Sequence, residues 1–256
     1  MEFGYIFSGF AVGLLVGLTG VGGGSLMTPM LVLLFHIKPA VAVGTDLLYA
    51  SVTKTAGIFA HGKLGNIDWR IVKLLAIGSI PASIITTFYL KGIDVASDDA
   101  VAAIKFWLGI ALLLTSVSVL FRHQLIRFSK EHGWIKPSWT APLTVLLGLT
   151  LGALVTLTSV GAGALGVTAL FIIYPKSPIT KIVGTDIAHA VPLTLAAGLG
   201  HASLGTVDYK LLGILLIGSI PGIWIGSHLS SKIAEHWVRF ALALILIFVG
   251  VKLVFH

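Results

Sequence analysis

The sequence contains no cysteine and only a small proportion of charged residues. Without cysteine, the chain cannot form disulfide bonds, thiolate metal sites or a cysteine nucleophile. Charged residues make up 11% of the chain, compared with about 25% in soluble domains, and hydrophobic residues make up 56%. A soluble globular domain is therefore excluded, and the composition predicts an all-α integral membrane protein.

Acidic residues are also scarce, because the chain has 10 of them against 17 Lys and Arg, which gives a formal net charge of +7. A basic excess can indicate binding to nucleic acid. Here the basic residues are spread over short segments between apolar stretches instead of lying on one polar face. We interpret them as topology signals and predict no nucleic-acid partner.

Six apolar stretches are each close to the ~20 residues that cross a bilayer as a helix. They cover residues 40–62, 70–90, 101–121, 179–201, 210–230 and 237–255. A long polar segment, residues 122–140, is rich in Arg, Lys and His. It predicts a division into a first transmembrane repeat (1–121), a basic connector (122–140) and a second transmembrane repeat (141–256).

The two repeats carry the same motifs in the same order. Gly44-Thr45-Asp46 returns as Gly184-Thr185-Asp186, and further pairs keep this separation of 140 positions. These pairs are His61/His201, Gly65/Gly205, Asp68/Asp208 and Gly78-Ser79-Ile80-Pro81/Gly218-Ser219-Ile220-Pro221. A duplicated apolar chain of this kind is typical of secondary transporters whose site lies between the halves.

A glycine-rich break interrupts the first apolar segment of each repeat. Residues 5–35 are too long for one crossing and are interrupted at residues 20–25. In the second repeat, the break at residues 159–163 separates residues 143–157 from residues 164–174. Each segment is either a single kinked helix or a hairpin that turns back at the glycines.

The distribution of Lys and Arg favours the hairpins. A hairpin followed by three crossings inverts the second repeat and places 11 basic loop residues on one side and 4 on the other. Single kinked helices would give 9 and 6. The positive-inside rule therefore predicts two inverted repeats, with both termini outside and the connector in the cytoplasm.

The glycine breaks are the predicted substrate-binding segments. Backbone that leaves a helix inside a bilayer must find polar partners, and the helix that starts after each break presents free N–H groups to an anion. The predicted residues are Gly22, Gly23, Gly24, Ser25, Gly161 and Gly163. Alternatively, the glycines only allow close packing of helices.

Two acidic residues, Asp46 and Asp186, lie about two turns inside their helices, where a carboxylate is costly unless it is paired, protonated or beside a cavity. We predict that they bind protons or a cation that drives transport. The alternative is that they accept backbone N–H bonds and fix the glycine breaks. The neighbouring hydroxyls of Thr45 and Thr185 are predicted to donate to a substrate oxygen.

Two more polar residues lie inside a span of one repeat only. Lys54 is predicted to be a counter-ion for the substrate or for Asp46, with a side chain that reaches the membrane interface as the alternative. His189 is predicted to relay protons, with a hydrogen bond between helices as the alternative. By contrast, Asp68 and Asp208 are predicted to cap helices, and the Gly-Ser-Ile-Pro strings to kink and pack them.

The glycine break, the Gly-Thr-Asp string after a proline and the repeated His-x-x-x-Gly-x-(Ile/Val)-Asp string together resemble the sulfite exporter TauE/SafE family of bacterial and archaeal transporters. The resemblance covers essentially the whole chain. It implies a plasma-membrane carrier for sulfite, sulfonates or related small sulfur anions, without an organic cofactor.

The predicted function is a secondary transporter that moves sulfite or an organosulfonate by alternating access, coupled to protons or a cation. An anion channel is an alternative, and an intramembrane aspartyl protease is a remote one, because the two acids lie in repeated strings. We predict no enzyme activity, catalytic residue, metal or cofactor. The predicted partners are a small anion and membrane lipid, with a homodimer left open.

Overall fold

In a computed structural model, the described residues are 2–19, 24–63, 65–132, 135–229 and 235–255. These described residues form eleven helices and no strand, which confirms the all-α prediction. The helices are α1 (Glu2–Thr19), α2 (Gly24–Leu33), α3 (Pro39–Lys63), α4 (Trp69–Lys91), α5 (Asp98–Leu120), α6 (Arg122–His132), α7 (Pro137–Thr158), α8 (Ala164–Ile173), α9 (Ile179–Ser203), α10 (Tyr209–Leu229) and α11 (Glu235–Phe255).

The six predicted spans correspond to α3, α4, α5, α9, α10 and α11, with ends within three residues of the prediction. Among the described residues, six helices are long and apolar enough to cross a membrane, and five of these are predicted spans. The sixth is α7, which belongs to the second glycine segment. The helix α3 is 25 residues long but is not one of the six. It carries Asp46, Lys54 and several Ser and Thr side chains, which make it more polar.

Both glycine segments fold back on themselves. The Tyr5 ring in α1 packs against the Phe35 ring, with centroids 4.6 Å apart, so the end of α2 lies near the start of α1. In the second repeat, the hydroxyls of Thr144 in α7 and Tyr174 at the end of α8 are 2.7 Å apart. These contacts support the hairpin alternative. With 10 residues each, α2 and α8 reach about 15 Å, half of a bilayer core.

Close helix crossings connect the two repeats. Gly9 and Gly13 of α1 lie against the backbone of Leu215 and Ser219 of α10, where any side chain would collide. Residue numbers increase in the same direction along both helices at these contacts, so α1 and α10 run parallel. Such crossings of small residues are typical of membrane helices, because they bring backbones into direct contact.

The same crossing occurs between α4 and α7. Gly148 and Gly152 of α7 lie against the backbone of Leu75 and Ser79 of α4. Ser79 and its counterpart Ser219 belong to the repeated Gly-Ser-Ile-Pro strings, so the close packing predicted for these strings is confirmed.

The helices α3 and α9 run antiparallel at the centre of the fold, because Gly44 approaches His201 and Gly198 approaches Leu48. The equivalent helices α3 and α9 thus run in opposite directions, while α1–α10 and α4–α7 are equivalent parallel crossings. Inverted repeats require both arrangements. The inversion in a bilayer, the domain limits and the side of each loop stay predictions.

The loops before α4 and α10 contain the predicted caps. The Asp68 side chain accepts from the backbone N–H groups of Arg70 and Ile71, at 3.2 and 3.4 Å. The Asp208 side chain accepts from the N–H of Leu211 at 2.9 Å. Both predicted caps are confirmed. They stabilise helix starts by satisfying N–H groups that have no partner within the helix.

Candidate functional site

The helices α3 and α9 bring two carboxylates into the interior. The side chains of Asp46 and Asp186 are 0% and 1% exposed. Each residue lies about two turns after the start of its helix, in a segment that the apolar pattern buries. Buried carboxylates at equivalent positions of both repeats define the centre of the candidate site.

Asp46 is held by the first hairpin and faces the second one. The Thr28 hydroxyl of α2 donates to its Oδ2 at 2.6 Å. The Ser159 hydroxyl, at the end of α7, also acts on this carboxylate. Within the described part of the chain, Asp46 Oδ1 and Ser159 Oγ are both buried without a hydrogen-bond partner. This side of Asp46 therefore has one unused carboxylate oxygen near a hydroxyl that can donate or accept.

Asp186 has a different environment, which the second hairpin provides. Its carboxylate lies against Gly166 of α8, where any larger residue would collide with it. The backbone N–H of Gly163, at the start of α8, interacts with the carboxylate. Asp186 Oδ1 finds no hydrogen-bond partner among the described residues. The two carboxylates are thus equivalent in sequence but differ in their surroundings.

Lys54 brings a positive charge to both carboxylates. Its side chain is 9% exposed, and Nζ donates to the Ala162 carbonyl in the second glycine break at 3.0 Å. Its charge acts on Asp186 most strongly and on Asp46 next. Lys54 therefore points into the protein and not to the membrane interface.

His189 connects α9 to α4. Its Nε2 is 2.8 Å from the Ser79 hydroxyl, while its Nδ1 is buried without a partner in the described structure. At the equivalent place in the first repeat, the Tyr49 hydroxyl lies near Ser219 but makes no hydrogen bond to a described residue. Ser79 and Ser219 were assigned only to packing by the sequence. The sequence does contain a sign of this contact. The serine is present in both repeats, whereas the residue that faces it is His189 in one and Tyr49 in the other.

Thr45 and Thr185 join the repeats to each other. The Asp68 N–H donates to Thr185 Oγ1 at 2.8 Å, and the Asp208 N–H donates to Thr45 Oγ1 at 3.0 Å. The Thr185 hydroxyl itself donates to the Lys181 carbonyl at 2.6 Å. These hydroxyls stabilise the interface between the repeats, and their predicted contact with substrate stays a prediction.

The glycine residues of the site differ in how they are placed. Gly22 and Gly23 lie outside the described residues, whereas Gly24 is the first residue of α2. Ser25 follows it and is buried. Gly161 and Gly163 both have a φ of 127°, which L side chains rarely adopt. The second break therefore requires glycine at two positions.

Three contributors to the site were not among the predicted site residues: Thr28, Ser159 and the Ala162 carbonyl, although the last two lie in the predicted break at residues 159–163. Thr28 and Ser159 had no repeated pattern to indicate them, since Val167 and Gly20 occupy the equivalent positions. Every residue has a backbone carbonyl, so the sequence cannot indicate which one contributes to the site. Together with Asp46, Asp186 and Lys54, these groups can hold an anion or a cation in a desolvated interior.

The family described as "Sulfite exporter TauE/SafE" matches residues 5–253. The chain is similar to "Probable membrane transporter protein YjnA" of Bacillus subtilis (strain 168), with 42% identity over 99% of this chain and 100% of that protein. It is 27% identical to "Probable membrane transporter protein YdhB" of the same strain, over 96% of this chain and 97% of the relative. A probable membrane transporter protein of Methanocaldococcus jannaschii is 29% identical, over 94% and 91%. No solved structure matches the chain.

These relatives are named as membrane transporters and not as enzymes. This agrees with the apolar helices and confirms the predictions of a multi-pass membrane protein with a transport function and without enzyme activity. The family match extends over nearly the whole chain and includes both glycine breaks and both carboxylates. The chain therefore belongs to the sulfite exporter TauE/SafE family of membrane transporters.

Proposed function

We propose that the protein is a secondary transporter that moves a small sulfur oxyanion, sulfite or an organosulfonate, across the plasma membrane. The two repeats are inverted and alternate access to a site around α3 and α9. The observation that carries the proposal is Lys54, a buried cation that donates to the Ala162 carbonyl in a glycine break and acts on two buried carboxylates.

The proposed anion site lies beside this lysine. Lys54 supplies the positive charge, and α8, which starts after Gly163, supplies the positive end of a helix dipole. Gly161 holds a φ of 127° in the break, which other residues rarely adopt. In the first repeat, Gly22, Gly23, Gly24 and Ser25 take the equivalent role. Thr45 and Thr185 contact substrate only in a state in which their bonds between the repeats are open.

Coupling is assigned to Asp46, Asp186 and His189. One lysine and two ionised carboxylates give the interior a net charge of −1, so binding of a proton or a cation offsets a charge that lipid cannot solvate. A bound anion adds negative charge and increases the need for this cation. Transport of the anion and uptake of the cation are then linked by charge balance.

The proposed surroundings follow from the same topology. Both termini lie outside, the connector 122–140 lies in the cytoplasm, and the partners are the transported anion and membrane lipid. Nucleic acid is not a proposed partner. A homodimer stays a prediction that the oligomeric state of the purified protein can test.

Flux measurements in proteoliposomes test the proposal. Sulfite, sulfoacetate, taurine and thiosulfate should be compared under imposed proton and sodium gradients. A transporter should show saturable uptake of at least one sulfur anion and counterflow against unlabelled anion. Flux that does not saturate and shows no counterflow would favour the channel alternative.

The variant Gly163→Val is the sharpest test of the break. It forces a β-branched residue to a φ of 127° at the start of α8, so anion flux and binding should fall by at least about tenfold. The matched control is Gly213→Val on α10, where a Cβ would meet nothing within 4 Å in the described structure. Normal anion affinity in a folded Gly163→Val protein would assign the glycines to packing alone.

A further inference from the structure

Thr115 of α5 differs from other buried threonines in how its hydroxyl is used. The residue is 1% exposed, and its Oγ1 has no hydrogen-bond partner in the described part of the fold. A threonine inside a helix can satisfy its hydroxyl by donating to the carbonyl four residues earlier. Five other buried threonines do so: Thr144, Thr156, Thr158, Thr185 and Thr194. The hydrogen of Thr115 is therefore not used by its own helix.

Packing alone does not account for a threonine at this position. A buried donor without a partner has lost its hydrogen bonds to water and gains none in return. Valine has nearly the same shape as threonine and lacks the hydroxyl, so it would fill the same space without this cost. Buried polar groups in native proteins almost always have a partner, and a bound ligand can supply one.

The buried face of α5 that carries Thr115 leads to the second glycine break. Leu112, one turn before Thr115, belongs to the same buried cluster as Val160 of the break. Ser118, one turn after Thr115, donates to the carbonyl of Ala164 at 3.5 Å, and Ala164 is the first residue of α8. Residues three positions apart lie on one face of a helix, so all three α5 side chains face the second hairpin.

The chain from α5 into α6 follows α8 in the same direction. Ser118 contacts Ala164, and four residues later the Cζ atom of Arg122 lies 5.5 Å from the centre of the Phe171 ring. Residue numbers therefore increase together along both segments. One turn back from Ser118, Thr115 lies level with the residues that precede Ala164, which are those of the second glycine break.

We propose that Thr115 is a substrate-binding residue whose hydroxyl donates to an oxygen atom of the transported oxyanion. Lys54, whose Nζ donates to the Ala162 carbonyl of the same break, supplies the positive charge, and Thr115 supplies a directional hydrogen bond. Sulfite and sulfonates carry several oxygens on one sulfur, so one oxygen can meet the ammonium group while another meets the hydroxyl. This inference rests on the proposed function and deepens it, because it adds α5 to the anion site.

Binding of oxyanions to the purified protein in detergent tests the role of Thr115. Sulfite, sulfoacetate and phosphate are titrated separately, and affinity is taken from the rise in melting temperature with anion concentration. Thr115→Val keeps the shape of the side chain and removes the hydroxyl, so affinity for the anions that the native protein binds should fall about tenfold. Thr115→Ser keeps the hydroxyl and should retain most of the affinity.

The melting temperature without anion gives a second readout, which needs no ligand. Thr115→Val removes a hydroxyl that has no partner among the described residues, so this variant should melt at the same or a higher temperature. The matched control is Thr194→Val on α9, which is equally buried and whose hydroxyl donates only to carbonyls of its own helix, at Ala190 and Val191. This control should melt at a lower temperature and keep the native anion affinity.

The outcomes separate this inference from the proposed function. Native affinity for sulfite or sulfoacetate in folded Thr115→Val would overturn the role of Thr115 and leave the transporter intact. A loss of stability in Thr115→Val as large as that in Thr194→Val would also overturn it, because the hydroxyl would then have a partner within the protein. Binding of phosphate alone that depends on Thr115 would support the donor and overturn the choice of a sulfur anion. A native protein that binds none of these anions would overturn both.

Discussion

Lys54 is the residue whose charge reaches both buried carboxylates. Its bond to the Ala162 carbonyl joins α3 to the second glycine break, 108 positions away. Within a membrane, such a cation must be matched by negative groups, and those groups in turn depend on it. Removing Lys54 therefore leaves carboxylates in an interior without a counter-charge.

The variant Lys54→Met should lower the free energy of unfolding by about 1–3 kcal/mol, because the Ala162 carbonyl loses its donor and the buried carboxylates lose a nearby positive charge. Adding Asp186→Asn should recover more of this loss than adding Asp46→Asn, because Lys54 acts on Asp186 first. Unfolding in detergent measures each variant. Equal recovery by the two second changes would contradict the assignment of Lys54 to Asp186.

At the scale of the helix, the positions of glycine determine which helices can pack with their backbones in contact. The face of α10 that packs on α1 contains Gly218, Gly222 and Gly226, each against the backbone of the other helix. The same helix has Gly213 outside this face. Identical substitutions on one helix can therefore separate the effect of packing from the effect of helix propensity.

The variant Gly222→Val should destabilise the fold by about 1–3 kcal/mol, because the new side chain would collide with the Phe10 carbonyl of α1. Gly213→Val makes the same change where a Cβ meets no described atom within 4 Å. Melting temperatures in detergent and yields in membranes compare the two. Similar losses at both positions would mean that the crossing of α1 and α10 contributes little.

At the scale of the molecule, two equivalent joints hold the repeats together. One is the Asp68–Thr185 bond and the other the Asp208–Thr45 bond. The first joint also has an ion pair of 3.3 Å between Lys181 and Asp68, both partly exposed. Val41 occupies the position equivalent to Lys181, so the second joint lacks this charge. The two joints therefore differ in charge, because Lys181 pairs with Asp68 whereas Lys210 acts on Asp208.

The variant Lys181→Val should favour opening of the repeats at Asp68. The ion pair is partly exposed and contributes about 0.5 kcal/mol, so the population open at this joint should rise about twofold. Ala188 of α9, which is buried beside Val72 of α4, can carry a single cysteine whose rate of labelling reports separation of these helices. Val41→Lys places a second lysine near Asp208 at the other joint, so the rate of Ala188 labelling should stay unchanged or fall. A faster rate in Val41→Lys than in Lys181→Val would contradict the model of two joints.

Labelling of single cysteines tests the inverted arrangement, because the native chain has no cysteine. Cysteines at Ser129 and Ser177 should react only from the cytoplasmic side, and one at Ser97 only from outside. In the structure, the Ser129 hydroxyl donates to the Ile172 carbonyl at 3.0 Å, which places the connector beside the end of α8. Reaction of Ser97 and Ser177 from the same side would support parallel repeats.

The sequence by itself determined the elements and their order. Length and hydropathy gave six spans within three residues of the observed helices, and Asp68 and Asp208 were recognised as caps. Glycine runs located both breaks. These features depend on a few neighbouring residues, such as an apolar run of bilayer length or a side chain beside free N–H groups, so they can be read without knowing the fold.

Only the tertiary structure decided which of the candidate residues meet. The bond from Lys54 to Ala162, the bond of His189 to Ser79 and the pairing of Thr45 with Asp208 join positions 108, 110 and 163 apart. Such contacts depend on the direction and depth of packed helices, and one turn of a helix moves a side chain by about 5.4 Å. The repeat predicted equal roles for Asp46 and Asp186. Their surroundings differ because Thr28, Ser159 and Lys54 each occur in one repeat only.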